Sequence, residues 1–140
     1  MIRLFLDSSA LAKRYVKEVG TERVLELCRG AEEVVVSIIA LPEVVSTLNR
    51  LRREGRLPQR DYDAIKQDVI ADLAEATVIE ATASILDKAL ACLERSPLRA
   101  SDAVHIATAM EAGADLFLTA DRRQRQGAID AGLKVEAVGL

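Results

Sequence analysis

Five short apolar runs recur along the chain, and a segment of helical pattern separates each run from the next. The second run contains three consecutive valines, Val34, Val35 and Val36, which suit a strand buried on both faces. Parallel strands need a long crossover, usually a helix, and each intervening segment can supply one. The sequence therefore predicts an α/β fold with a mainly parallel central sheet, whose strands lie at residues 2–6, 33–37, 77–80, 116–119 and 134–138.

Capping signals set the predicted limits of the helices around these strands. A helix over residues 10–16 follows the first strand, and a short helix over residues 121–126 follows the fourth. Ser101 is the predicted N-cap of a helix over residues 102–112, because serine accepts well from the free N–H groups of a helix start. Polar residues are thus expected where strands end and helices begin.

Composition excludes several classes of protein. The 140 residues suit one domain, and 50% hydrophobic with 29% charged residues excludes a disordered or membrane-spanning chain. A net charge of −3 and 3% aromatic residues argue against a broad phosphate-binding surface or a base-stacking platform. One histidine and two distant cysteines cannot form a structural zinc site. The N-terminal residues lack a signal-peptide pattern, so we expect a cytoplasmic protein with no membrane partner.

Four carboxylates stand out by their positions relative to the predicted strands. Asp7 and Asp121 follow strands directly, and Glu43 and Asp102 lie in first helical turns. In open parallel sheets the ligand site lies beyond the carboxyl ends of the strands, so the four side chains are expected on one rim. Grouped carboxylates suit Mg²⁺ or Mn²⁺, and two such ions can promote phosphodiester cleavage.

Each of these carboxylates also has a purely structural explanation. Asp7 and Asp121 are in suitable positions for N-caps, and Glu43 and Asp102 are favoured near helix starts by about 0.3–1 kcal/mol through the helix dipole. For each carboxylate considered alone, the structural explanation is the simpler one. Convergence of all four is inferred from the expected fold and argues for function.

Four segments of the sequence resemble the PIN domain family, in order and over essentially the whole chain. The similarity is closest to VapC-type toxins of toxin–antitoxin pairs. It implies a three-layer α/β/α domain over residues 1–140 that acts as a Mg²⁺- or Mn²⁺-dependent endoribonuclease. The segments are residues 2–13 (IRLFLDSSALAK), 37–45 (SIIALPEVV), 99–109 (RASDAVHIATA) and 113–123 (GADLFLTADRR).

The resemblance also implies roles for particular residues and partners. It gives Asp7, Glu43, Asp102 and Asp121 as the catalytic acidic cluster. Asp7 and Asp102 are the principal expected metal ligands, with Glu43 and Asp121 as further ones. The expected partners are an RNA substrate, a second copy of the chain in a homodimer, and a small antitoxin. The antitoxin would lie along an apolar groove between the N-terminal helices and put a basic side chain near the acids. The polar positions that match the family's pocket are Ser8 and Thr119.

Several basic residues are candidates for contacts with RNA phosphate. Arg122 and Arg123 directly follow Asp121, and Lys13 and Arg14 lie one to two turns beyond Asp7. The basic run at residues 50–56 could contact RNA or an acidic partner, but favourable charge at a helix C-terminus is the preferred interpretation. The acids are expected near the start of that helix, about 15 Å from its far end.

One further titratable residue lies close to the acids in sequence. His105 shares a helix face with Asp102, three residues earlier, and is expected to pack or hydrogen-bond beneath the site.

Three alternatives to the toxin hypothesis are considered. A haloacid dehalogenase-type phosphatase would need a second aspartate two residues after Asp7, where Ser9 stands, so it is disfavoured. A PIN-type RNA-processing nuclease without an antitoxin has the same site chemistry. A non-catalytic RNA- or protein-binding module is compatible with the composition but leaves the four acids unexplained.

Overall fold

The computed structural model describes residues 2–140, and its five strands form one fully parallel sheet in the order β3-β2-β1-β4-β5. The strands are β1 (Arg3–Leu6), β2 (Glu33–Ser37), β3 (Thr77–Ile79), β4 (Leu116–Thr119) and β5 (Val135–Ala137). The helices are α1 (Ser8–Ala12), α2 (Thr21–Gly30), α3 (Ala40–Arg53), α4 (Gln59–Glu75), α5 (Ala83–Arg95), α6 (Ala100–Glu111) and α7 (Arg122–Asp130). The predicted α/β fold with a parallel sheet is confirmed.

The alternation of side chains along the strands builds a core on each face of the sheet. Leu4 and Leu6 of β1 pack with residues of α1, α2, α3 and α4, whereas Phe5 packs with residues of α5, α6 and α7. Phe5 is fully buried and stacks on Phe117 of β4 with ring centroids 5.2 Å apart. Burial of one such ring contributes about 2–3 kcal/mol. The predicted three-layer α/β/α arrangement is confirmed.

Strand β1 lies at the centre of the sheet, and the chain adds strands first on one side of it and then on the other. β2 pairs with β1 through Leu4 opposite Val34, and β4 pairs with its other edge through Leu4 opposite Leu116. Connections from β1 and β4 therefore leave in opposite directions at their carboxyl ends. This is the switch point at which open α/β sheets bind ligands.

Two predicted helix starts are wrong, and in each case an aspartate explains the difference. Helix α1 begins at Ser8 rather than residue 10, because the Asp7 carboxylate caps it by accepting from the Ala10 N–H. Helix α6 begins at Ala100 rather than residue 102, so Ser101 lies inside it and is not its cap.

The predicted end of the last helix is also wrong. Helix α7 continues through Gly127 to Asp130, because its buried face packs beneath α6 and Gly127 fits closely against Leu98 and Ile106. Tertiary packing here outweighs the low helix propensity of glycine.

Two further features concern the chain as a whole. Cys28 and Cys92 are free thiols. Across residues 2–140, none of the helices combines the length and the apolar character needed to cross a membrane.

Candidate active site

A cleft of about 590 Å³ opens at the carboxyl ends of β1 and β4, and all four predicted carboxylates line it. Asp7 follows β1, Glu43 lies in the first turn of α3, Asp102 in the first turn of α6, and Asp121 directly precedes α7. We call it the acidic cleft. Its other polar wall residues are Ser8, Ser9, Lys13, Glu18, Ser46, Thr47, Arg50, Arg99, Ser101 and Gln124.

Asp7 is the most buried of the four carboxylates, with 1% of its surface exposed. Its Oδ1 accepts from Ser9 Oγ at 2.7 Å and from the Ala10 N–H at 2.9 Å, and its Oδ2 accepts from Thr119 Oγ1 at 2.5 Å. Burial nevertheless raises the pKa of Asp7 above its ordinary value, although the His105 charge and these hydrogen bonds oppose the shift. The carboxylate is thus held by both oxygens at a place where negative charge is unfavourable.

Glu43 is held by two side chains from other elements. Ser8 Oγ donates to Glu43 Oε1 at 2.5 Å, and His105 Nε2 lies 2.5 Å from the same oxygen. Partial burial acts to raise the pKa of Glu43, but the hydrogen bonds from His105 and Ser8 and the His105 charge outweigh it and lower that pKa. Glu43 is therefore ionised at neutral pH.

His105 lies beneath the acidic cleft, as predicted. The ring is 2% exposed and meets Phe5 edge-on at a centroid distance of 6.3 Å. Its Nε2 contacts Glu43 and, at 3.1 Å, Ser8 Oγ, while Nδ1 has no hydrogen-bond partner among residues 2–140. These contacts make it a support for the carboxylate of Glu43.

Arg99 connects the remaining two carboxylates. Its Nε is 3.4 Å from Asp102 Oδ2 and its Nη2 is 3.5 Å from Asp121 Oδ2. The Arg99 backbone N–H also donates to Asp102 Oδ2, at 3.0 Å, and Gln124 Nε2 donates to Asp102 Oδ1 at 3.4 Å. The hydrogen bond to Asp102 and its charge, followed by the charges of Asp121 and Glu43, raise the pKa of Arg99.

The structural and the functional explanations of the carboxylates turn out to be compatible. Asp7 Oδ1 caps α1 through the Ala10 N–H, and Asp121 Oδ1 caps α7 through the Gln124 N–H at 2.9 Å. In both residues the cap uses Oδ1, and Oδ2 contacts another side chain. Helix capping therefore fixes where each carboxylate lies without occupying both of its oxygens.

The two predicted pocket residues differ in position. Ser8 lines the acidic cleft. Thr119 is fully buried and is absent from the cleft wall; it lies behind Asp7 and also accepts from the Asp121 N–H at 3.1 Å. The expectation that Thr119 lines the pocket is wrong because its side chain turns inward to satisfy two buried polar groups.

The four basic residues predicted to contact RNA phosphate also differ in position. Lys13 lines the acidic cleft, but its Nζ is engaged by Glu18 Oε1 at 3.0 Å and by the Val19 carbonyl at 2.7 Å. Arg14 points away from the acidic cleft to Asp72, 3.5 Å away. Arg122 and Arg123 are exposed beside Asp121 but do not line the cleft.

Sequence reasoning missed Arg50 as a cleft residue. Helix α3 lies along the cleft and lines it with Glu43, Ser46, Thr47 and Arg50, which share one face at helical spacing. Arg50 lies in the last turn of α3, as predicted, and it also lines the cleft, so the helix dipole is not its only possible role. The helical spacing of this stripe was visible in the sequence. Arg99 and Gln124 each lie three residues from an acid, Asp102 and Asp121 respectively, but that spacing was not used to predict them.

The chemistry of the cleft suits a hard divalent cation, which prefers oxygen ligands. Besides the carboxylates, Gln124 lines the cleft and its buried Oε1 has no hydrogen-bond partner among the described residues. Within residues 2–140, however, no three His, Cys, Asp or Glu side chains stand together in a way that could hold an ion. The donors fit the cation by type, and binding requires some of them to move closer together.

Comparison with known families agrees with this geometry. The sequence matches the family model described as PIN domain over residues 4–129. The chain belongs to the PIN domain family. The matched range contains all four carboxylates of the acidic cleft.

Relatives of this PIN domain match it along nearly its whole length. A Mycobacterium tuberculosis protein named ribonuclease VapC45 is 30% identical over 139 residues, which cover 98% of this chain and 96% of the relative. The crystal structure of Mycobacterium tuberculosis VapC20, a sarcin–ricin loop cleaving toxin, has a TM-score of 0.67 at 21% identity, covering 86% of this chain and 92% of that one. A toxin–antitoxin complex from Klebsiella pneumoniae has a TM-score of 0.69 at 16% identity, covering 96% of both chains. The two structures share the fold of this PIN domain.

Proposed function

We propose that this PIN domain is a VapC-type endoribonuclease toxin that uses Mg²⁺ or Mn²⁺ to cleave RNA phosphodiester bonds. The observation that carries the proposal is the meeting of Asp7, Glu43, Asp102 and Asp121 in one cleft at the switch point of the sheet. The near-full-length similarity to a protein named ribonuclease VapC45 supports the same reaction class.

Asp7 and Asp102 would hold the cation, and Glu43 and Asp121 would complete its surroundings. The bound ion would activate a water and stabilise the leaving oxygen of the phosphodiester. The chain's own contribution is to hold the carboxylates in place: Thr119 and Ser9 fix Asp7 by both oxygens. Such support limits rotation of a ligand before the substrate arrives.

Glu43 contributes a second prepared carboxylate. Its lowered pKa keeps it charged at neutral pH, and His105 and Ser8 hold its Oε1 from below. A carboxylate that is already ionised and oriented needs no reorganisation when positive charge enters the acidic cleft.

Contacts to the RNA backbone are assigned to exposed arginines. Arg50, Arg122 and Arg123 are exposed, and across residues 2–140 no carboxylate lies within ion-pairing distance of them. Arg50 lies on the cleft wall, on the same face of α3 as Glu43. These side chains are free to contact phosphates and position a strand across the acids.

A small antitoxin is the proposed protein partner, and a homodimer is the proposed assembly of the toxin. The structural likeness to a toxin–antitoxin complex supports the antitoxin. The acidic cleft is a suitable receptor for a basic antitoxin side chain, which would neutralise the carboxylates and block the site.

The decisive experiment compares the wild-type protein with Asp102→Asn on total cellular RNA, with and without Mn²⁺. Asp68→Asn is the matched control, because Asp68 is an exposed carboxylate on α4. We expect metal-dependent cleavage by the wild type and the control, and a loss of at least about 100-fold in Asp102→Asn.

Two outcomes would contradict the proposal. Equal cleavage by all three proteins would identify a contaminating nuclease or a different site. Binding of RNA without cleavage, under every metal condition, would favour a non-catalytic binding module.

A further inference from the structure

We propose that Arg99 is a built-in counter-ion of the acidic cleft, which a divalent cation must displace in order to bind. The inference rests on the proposed function, because it concerns the cation that the nuclease would use. It assigns Arg99 a positioning role, in which its guanidinium offsets the negative charges of Asp102 and Asp121 while the cation is absent.

The contacts of Arg99 identify the carboxylates that it serves. Its Nε and Nη2 lie 3.4 and 3.5 Å from the Oδ2 atoms of Asp102 and Asp121. One positive group thus lies between two of the four carboxylates, Asp102 and Asp121, whose mutual repulsion would otherwise oppose their approach.

The other positive groups on the cleft wall do not perform this task. Lys13 is held by Glu18 and by the Val19 carbonyl. Arg50 lies on the wall, but within residues 2–140 no carboxylate reaches it at ion-pairing distance. Arg99 is accordingly the cation that any ion entering between Asp102 and Asp121 would meet.

The contacts of the Arg99 guanidinium are weak enough for it to move out of the acidic cleft. The side chain is 62% exposed, and both ion-pair distances are long for charge-assisted hydrogen bonds. Anchoring of the helix start is separate, because the Arg99 backbone N–H donates to Asp102 at 3.0 Å. The side chain can therefore swing away while α6 keeps its beginning.

Displacement of Arg99 by a cation also explains why the described residues do not already form an ion site. With Arg99 in place, the Oδ2 atoms of Asp102 and Asp121 face a guanidinium rather than each other. The buried Oε1 of Gln124 meanwhile lacks a partner. Removal of the guanidinium leaves both Oδ2 atoms accessible to a cation, while the Arg99 backbone N–H still donates to Asp102 Oδ2.

The test measures Mn²⁺ affinity directly, by electron paramagnetic resonance of free Mn²⁺ without RNA, for the wild type and three variants. Arg99→Gln removes the charge, Arg99→Lys keeps it, and Arg60→Gln removes an exposed charge on α4. Circular dichroism verifies that each protein is folded.

We expect Arg99→Gln to bind Mn²⁺ about tenfold more tightly than the wild type. A single charge about 6 Å from a divalent ion in water-like surroundings has an effect of that order. Arg99→Lys and Arg60→Gln should stay within about threefold of the wild type, since one retains the charge and the other removes it at a distance.

The remaining outcomes overturn the inference in distinguishable ways. Unchanged or weaker binding by Arg99→Gln, or equal tightening in either of the other variants, refutes the counter-ion role while the proposed metal-dependent function stands. Failure of all four proteins to bind Mn²⁺ at millimolar concentration refutes both.

Discussion

Replacement of Thr119 by valine is expected to lower the free energy of unfolding by about 1–4 kcal/mol at pH 7. The substitution keeps the shape of the side chain and removes only its hydroxyl. That hydroxyl donates to Asp7 Oδ2 at 2.5 Å and accepts from the Asp121 N–H at 3.1 Å. Loss of a bond to a charged group costs about 1.5–3 kcal/mol and loss of a neutral one about 0.5–1.5 kcal/mol, and the added methyl offsets about 0.8 kcal/mol.

Two matched variants separate the hydroxyl from the rest of the side chain. Thr108→Val removes a buried hydroxyl that donates to the Val104 carbonyl, a group that already accepts a helical N–H, so its effect should stay within about 1 kcal/mol. Thr119→Ser keeps the hydroxyl and loses one methyl, for which about 1 kcal/mol is expected.

Urea unfolding followed by far-ultraviolet circular dichroism gives the free energies, since the chain has no tryptophan. The deficit of Thr119→Val should shrink as the pH falls through the raised pKa of Asp7, because a protonated carboxyl no longer needs the hydroxyl to stabilise its charge. A Thr119→Val protein no less stable than Thr108→Val at pH 7, or a deficit that is the same at pH 4, would refute this account of Asp7.

Two further predictions concern titratable side chains. Burial raises the pKa of Asp7 in the folded protein above its pKa in the unfolded chain. Between these two pKa values the folded protein retains a proton that the unfolded chain has released. The contribution of Asp7 to stability therefore falls as the pH rises from the unfolded pKa through the folded one. Asp7→Asn should therefore be more stable than the wild type at pH 7, with the difference shrinking toward pH 4. Urea unfolding at both pH values measures the difference, and an advantage that grows at low pH would contradict the reasoning. Burial and then the hydrogen bond to Asp72, at 2.8 Å, raise the pKa of Tyr15. Ultraviolet titration should show a late-ionising phenol that Tyr15→Phe removes, with a loss of stability of about 1 kcal/mol; persistence of that late step in the variant would assign it elsewhere.

The positions of the four acids were predictable because they depend on the direction of the chain. Once β1, β2 and β4 are parallel, residues that follow them lie at one edge of the sheet, and Asp7 and Asp121 are such residues. Glu43 and Asp102 were placed by their first-turn positions. No comparable rule applied to Lys13 and Arg14. Although the two residues are adjacent in sequence, Lys13 contacts Glu18 and Arg14 contacts Asp72, in different parts of the protein.

The positions of the residues around the acids were harder to predict. The helical spacing of Arg50 from Glu43 was visible in the sequence, but only the structure shows that this face of α3 lines the acidic cleft. Thr119 was correctly placed at the end of β4, but the inward turn of its side chain depends on two polar groups that need it.

The sequence by itself determined the alternation of strands and helices, the parallel sheet and the edge at which the four carboxylates stand. These features follow from side-chain periodicity and from capping, which act between residues close in the chain. Only the tertiary structure decided which oxygen of each carboxylate meets which partner. Thr119 lies 112 residues from Asp7, and Arg99 lies 22 residues from Asp121. Contacts over such separations depend on how elements cross and on which buried polar groups remain to be satisfied, and local pattern carries no information about either.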